Sequence, residues 1–430
     1  MKIFLNCLPR RILAVAIAML SVAWPGCAVA EQPELGSNLA QLIEYAREHN
    51  PEFAAMRHEA EAARQRAASS ATLADPVLRV EWMDVTNQQT GNSTSLLPSR
   101  VGSTQYTLMQ NVPWFGQRGL QRAVAEAQSV QADSQIAATW AELTGKIKTV
   151  YAQYYYLAAN EQLIQQTLDL IGDLEQIAQM RYANGLGAQQ DVIRMQIEQS
   201  ELQTELLTVQ TMQHHMRGQL NSLLSRPARA ELAAPVQLRP LPAASQLDYA
   251  LLEQRLRARN PQLLIADARR DEAEKARDIA FNNRYPNFTF GIAPTQTGSR
   301  ISEWGLMLEM NIPLRQGLRR SGQREAEAML AASGARKEAL LNQMLANLAE
   351  RVVGLQTVRR NESLIASQLL PLAELTYQSA MAGYHSGKVD FATLLDAQRQ
   401  ILKTRQQHLK TQYDAQVLLA EIEQLTGEES

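Results

Sequence analysis

The stretch Arg181-Tyr182-Ala183-Asn184-Gly185-Leu186-Gly187, followed by Asp191-Val192-Ile193, returns 202 residues later. Its second form is Gly383-Tyr384-His385-Ser386-Gly387-Lys388-Val389, followed by Leu394-Leu395-Asp396-Ala397-Gln398. Tyr182 matches Tyr384, Gly185 matches Gly387, and Gln196 matches Gln398. Further out, Asn50-Pro51 recurs as Asn260-Pro261, and Asn111-Val112-Pro113 as Asn311-Ile312-Pro313. A unit of about half the chain is duplicated in tandem, over residues 31–245 and 246–430.

Each copy of the motif closes a long helix. Between Pro113 and Pro227 there is no proline, and residues 117–183 are mostly Ala, Gln, Glu, Leu and Arg, which favour helix. A helix of about 67 residues, at 1.5 Å per residue, is about 100 Å long. Ile147, Val150, Tyr154, Leu157, Ile164, Leu168 and Ile171 follow a three-four spacing, a coiled-coil-like seam interrupted at Glu161. The second copy runs from 315 to 384 and is broken only by Pro371. Gly185 and Gly387 suit the left-handed conformation that stops a helix and reverses the chain. A Pro- and Ala-rich stretch, 225–245, follows the first returning helix.

Four short segments alternate like strands, at about 77–85, 103–112, 286–293 and 302–312. Leu78, Val80 and Trp82 oppose Arg79 and Glu81; Thr104, Tyr106 and Leu108 oppose Gln105 and Thr107. In the second unit Phe288, Phe290 and Ile292 oppose Asn287, Thr289 and Gly291, while Trp304, Leu306, Leu308 and Met310 oppose Glu303, Gly305 and Glu309. One apolar, aromatic face and one polar face is the pattern of a membrane barrel strand. Trp82, Trp114 and Trp304 stand near strand ends, as an interfacial aromatic belt requires. The repeat offset falls from 210 at Pro51/Pro261 to 200 at Pro113/Pro313, which puts about ten extra residues in the first polar loop, Thr86 to Ser103. Four strands cannot close a barrel, and an open edge in lipid leaves backbone groups unpaired. Single-chain barrels need at least about 8 strands. The strands must therefore be pooled between copies, and three copies give twelve.

The first 30 residues read as a secretory signal: Lys2, Arg10 and Arg11, an apolar run from Ile12 to Ala23, then Ala28-Val29-Ala30 at the cleavage positions. Cys27 is an alternative lipid-attachment residue, and Cys7 lies inside the signal, so disulfides are excluded. The chain is 45% hydrophobic and 20% charged. Losing the signal's three basic residues takes its net charge from −2 to −5, which argues against a nucleic-acid partner. There is no phosphate-binding loop and no nucleophile motif, so no enzyme and no cofactor is expected. His214-His215 adjoin Met212 and Met216, but adjacent histidines on a helix diverge by about 100°. His49, His58, His385 and His408 are scattered, and no metal site is assigned.

Taken together, the duplicated tips, the Gly383 to Gln398 stretch and the repeated strand-helix order resemble the TolC-type outer-membrane efflux factors over essentially the whole mature chain. Gln110-Asn111-Val112-Pro113-Trp114-Phe115-Gly116-Gln117-Arg118 is similar to the heavy-metal, CzcC-like and CusC-like branch. The resemblance implies a homotrimer: a shared twelve-stranded β-barrel in outer-membrane lipid above a long α-helical barrel crossing the periplasm, with residues 225–245 in an equatorial belt. It implies a passive exit duct for heavy-metal cations, joined through a periplasmic adaptor (a membrane fusion protein) to a proton-driven inner-membrane pump of the RND type.

Asp191 and Tyr384 match the family's hydrogen-bonded link between neighbouring hairpins, and Asp396 its constriction-ring carboxylate. The family often has arginine where Val389 stands, with Lys388 one position earlier. Tyr182, Gly185, Gly187, Gly387 and Lys388 fall on the tips that meet the adaptor. The same duct serving drugs or secreted proteins is an alternative cargo. A soluble periplasmic coiled-coil scaffold is the competing class.

Overall fold

The structure, a computed structural model, describes residues 35–86, 94 and 96–428. The signal segment, Cys27 and part of the first loop lie outside them. Among the described residues the same order of elements occurs twice. In the first unit two short helices, α1 (Leu39–His49) and α2 (Pro51–Ser69), precede the hairpin β1 (Val77–Met83) and β2 (Ser103–Val112). The long helix α3 (Gln117–Ala183) and the returning α4 (Gln189–Leu223) follow. The second unit holds α5 (Tyr249–Arg259), α6 (Pro261–Asn282), β3 (Phe288–Thr297), β4 (Arg300–Met310), α7 (Gln316–Leu364), α8 (Leu370–His385) and α9 (Phe391–Thr426).

The duplicated Asn-Pro pairs show why this order repeats. Asn50 caps α2 by accepting from Phe53 N at 3.0 Å, and its amide donates to Leu223 O at 2.9 Å. Asn260 caps α6 through Leu263 N at 3.0 Å and donates to Leu425 O at 2.8 Å. One side chain thus starts a helix and ties it to the end of the returning helix, while proline supplies the preset first helical residue.

α3 keeps its sequence-predicted bounds. Its seam is buried as expected at Ile147, Val150, Tyr154, Leu157, Ile164 and Ile171. Glu161 interrupts the seam at no polar cost, because its two oxygens accept from Gln210 at 2.9 Å and Gln213 at 2.6 Å across the α3–α4 groove. The second long helix is not one α-helix. Residues Ile365–Leu369 form a π turn just ahead of Pro371, with Leu370 N bonded to Ile365 O. Proline has no N–H to offer the preceding turn, and the wider loop resettles the carbonyls there.

The four strands form one antiparallel sheet in the order β1-β2-β3-β4. β1 is two residues shorter than expected, since Asp84 takes a positive φ of 50° beyond it. β3 and β4 run Phe288–Thr297 and Arg300–Met310, shifted from 286–293 and 302–312 because the tight turn at Gly298 (φ 62°) lets them pair almost to their tips. Leu78 pairs with Leu108, Leu108 with Ile292 and Ile292 with Leu306, making an apolar row across the sheet. Every member is exposed, Leu306 at 90%. The opposite face carries Arg79, Glu81, Thr107 and Glu303, but Met109 and Met307 depart from polarity there. They lie against Gly291, where any side chain would crowd them.

Among the described residues three buried clusters hold the helices. Two wrap the upper part of each unit, one around Trp140, Ile147 and Leu220, the other around Leu256, Leu348 and Ile422. The third joins both hairpins near their tips around Ile164, Met195, Tyr384 and Leu394. Residues 224–243 cross the middle without regular structure. Tyr151 lies 3.1 Å from both Ser37 O and Gln237 O there, anchoring that crossing to α3.

Candidate functional site

Both tips close by the same backbone device. Leu186 N bonds Arg181 O at 2.8 Å and Gly185 N bonds Tyr182 O at 3.0 Å. In the second tip Lys388 N bonds Gly383 O at 2.9 Å and Gly387 N bonds Tyr384 O at 3.1 Å. Gly185 and Gly387 both have φ 71°, the conformation this double-bonded helix end demands. α9 then starts on Asp390, which accepts from Thr393 N at 2.9 Å. α4 starts on Ala188 with no side-chain cap.

The duplicated tyrosines do not share an environment. Tyr182 is 48% exposed, whereas Tyr384 is 5% exposed, edge-on to Phe391 at 5.7 Å. Arg181 makes the difference: its guanidinium lies 4.8 Å from the Tyr384 ring centre and donates to Tyr384 O at 3.0 Å. A cation over a ring and a charged hydrogen bond from one side chain clasp the first hairpin to the second. Sequence reasoning missed this residue, although it opens the repeated motif. The available signal was an arginine in the last turn of a helix, next to the duplicated tyrosine.

Asp191 lies in the first turn of α4, half-buried, and no hydrogen bond joins it to Tyr384 among the described residues. Its charge does reach the phenol. Burial holds the Tyr384 hydroxyl above its ordinary proton affinity; Arg181 pulls it down and Asp191 pushes it up. The hydroxyl is therefore a proton donor at neutral pH. Val389 packs against Gly383, where a Cβ would collide with it, so this position closes the turn by contact and not by charge.

Asp396 is exposed on α9, one turn from Arg399 and within its field. Arg399 is held by Glu198, with Nε 2.8 Å from the carboxylate. Gly185, Gly387 and Lys388 are exposed and Gly187 is half-buried, which leaves the tips open to a partner. His214 accepts from Arg217 at 2.7 Å. Among the described residues no group of three or more His, Cys, Asp or Glu side chains could hold a metal, and no helix is long and apolar enough to cross a membrane.

A family model described as outer membrane efflux protein matches residues 42–226 and 252–428. No individual curated protein matches the sequence. Among solved structures, the chain is similar to the outer membrane protein VceC from Vibrio cholerae, with TM-score 0.75 and 18% identity over 90% of this chain and 96% of that one. It is similar to CusC, with TM-score 0.76 and 17% identity over 91% and 92% of the two chains. The open state of the MtrE outer membrane channel of Neisseria gonorrhoeae gives TM-score 0.72 and 16% identity over 91% and 89%. These likenesses are likenesses of fold.

Proposed function

The chain belongs to the outer membrane efflux protein family, and from that premise we propose that three copies build the exit duct of a tripartite, proton-driven efflux system for heavy-metal cations. Members of this family are channels and not enzymes. The observation that carries the proposal is the four-stranded sheet. One of its faces is a continuous exposed apolar row, and the outer edges of β1 and β4 have no strand beside them among the described residues. An apolar face that size needs lipid, and two free edges need strands from other copies. Three copies make a twelve-stranded barrel, with the helices running on as the tunnel.

The tips supply the gate. Tyr384, clasped by Arg181 and lying in the field of Asp191, holds the hairpins together, and Asp396 sets the charge of the constriction. Three carboxylates close together favour cations and repel anions. Lys388 and the exposed rim from Tyr182 to Gly187 receive the periplasmic adaptor, which links the duct to the inner-membrane pump. The cation cargo rests on the Gln110 to Arg118 segment. Growth of a deletion strain on a panel of metals and drugs tests the cargo: sensitivity to drugs alone transfers the same duct to drug export.

Planar-bilayer conductance of the detergent-purified protein tests the channel and its latch. Low wild-type conductance with a large rise in Tyr384→Phe plus Asp191→Ala supports both. An unchanged variant of a conducting wild type removes the latch. No conductance from either protein, with solubility in the absence of detergent, returns the chain to the scaffold class.

A further inference from the structure

The apolar face of the sheet does not stop where the strands stop. Phe290 lies on that face, its ring 6.3 Å from Phe288. Phe288 lies 5.9 Å from Trp114, and Trp114 stacks on Tyr285 at 4.8 Å with the rings 9° from parallel. The file of rings ends on a cation, because the Arg284 guanidinium sits 4.8 Å from the centre of Tyr285. Phe115, Ile312, Leu314 and Leu318 are exposed around this junction, Phe115 at 84%. Apolar rings giving way to a guanidinium mark a boundary between acyl chains and headgroups.

Arg284 has company there. Arg319 donates to Asn283 O at 3.0 Å, which holds its guanidinium beside the same turn. Arg315 stands one helical turn earlier, exposed, with no ion pair or side-chain hydrogen bond among the described residues. Residues 281–290 and 310–324 contain no aspartate or glutamate. The adjacent Glu309 alternates onto the other face of β4 from Leu308. Some exposed arginines elsewhere on the helices are matched, Arg64 with Asp133, Arg122 with Glu126 and Arg351 with Glu421, whereas Arg284, Arg315 and Arg319 have no ion pair among the described residues. The rim thus gathers three arginines with no carboxylate in the sequence that flanks them.

We propose that Arg284, Arg315 and Arg319 form a binding surface for the phosphate groups of anionic phospholipids, at the level where the sheet passes into the helices. The inference rests on the membrane reading of the sheet. A planar guanidinium offers paired donors to two phosphate oxygens, and a cation at an anionic lipid surface strengthens binding roughly fivefold. Arg319, bonded to backbone, and Arg284, which donates to Tyr285 Oη at 2.8 Å, are held in position with guanidinium donors left over for the lipid, and Arg315 is free to engage it. Three copies would carry three such surfaces around the rim.

The test uses the full mature chain, reconstituted in phosphatidylcholine vesicles with and without phosphatidylglycerol. Lipids retained after detergent extraction are then quantified by mass spectrometry. Wild type should retain phosphatidylglycerol in excess over its share of the vesicle. Arg284→Gln plus Arg315→Gln should lower that excess about 25-fold, with melting temperature and oligomer mass unchanged. Arg284→Lys plus Arg315→Lys should keep part of it, and added salt should weaken the wild-type excess. No excess in wild type, or an excess that survives the double glutamine change, overturns the proposal. Flotation with the vesicles separates the two readings. Insertion into both membranes without headgroup preference removes this surface alone, whereas failure to insert into either removes the membrane reading and this one with it.

Discussion

At Gly383, near the end of α8, an added Cβ would run into Val389 Cγ2 and approach Val389 Cβ at 3.0 Å. Alanine favours helix over glycine by about 1 kcal/mol, but overpacking against a β-branched neighbour costs about 1–3 kcal/mol. Gly383→Ala should therefore destabilise the second tip by about 1–2 kcal/mol, seen as faster amide hydrogen exchange over residues 380–395. Val389→Ala in the same chain removes the colliding methyl, so the double variant should recover wild-type protection. Failure to recover would mean that Val389 is not what Gly383 makes room for. The glycines and tyrosines of the tips were legible in the sequence because a repeated motif marks them. Arg181 was not, since its role depends on where residue 384 comes to rest and not on spacing. Nor was the contrast between Tyr182 and Tyr384, which identical letters cannot express.

Among the helices, the junction of the two units carries a buried charge cluster. Lys148 on α3, 4% exposed, donates to Glu423 on α9 at 2.8 Å, and Arg239 reaches the same carboxylate at 2.8 and 3.0 Å. Burial lowers the lysine's proton affinity more than Glu423 restores it. Removing the anion leaves a buried lysine facing a half-buried arginine, and breaking a buried pair from one side costs about 3–5 kcal/mol. Glu423→Gln should thus lower stability by about 3 kcal/mol in a thermal melt, and adding Lys148→Met should recover part of the loss. A loss no greater than that of an exposed pair would show that water reaches the cluster. α3 was legible to its terminal residues because helix formers fill it and Gly116 and Gly185 bound it. Lys148 was not, because it stands within the Ile147–Val150 stripe with its partner some 275 positions away. The strands were legible in face and less so in extent, since the turn at Gly298 decides how far pairing runs.

At the scale of the molecule, burial raises the proton affinity of six tyrosines among the described residues, Tyr151, Tyr154, Tyr156, Tyr377, Tyr384 and Tyr413. The folded state binds these protons more tightly than the unfolded chain does. Their contribution is complete below the ordinary tyrosine value of about 10 and is lost as pH rises through the raised folded values. Lys148 acts in the opposite sense, gaining stability with pH below the ordinary lysine value, but it is one group against six. Melting temperature should be steady to about pH 9.5 and fall beyond about 10; a flat profile to pH 11 would show that the tyrosines are hydrated. The π turn has its own effect at this scale. From Pro113 to Tyr182 the first unit spends two residues fewer than the second does from Pro313 to Tyr384, worth about 3 Å of α-helix. Yet Arg181 meets Tyr384 in register. The wide turn at Ile365–Leu369 takes up chain with less gain in height, so two uprights cut to different lengths stand on one floor.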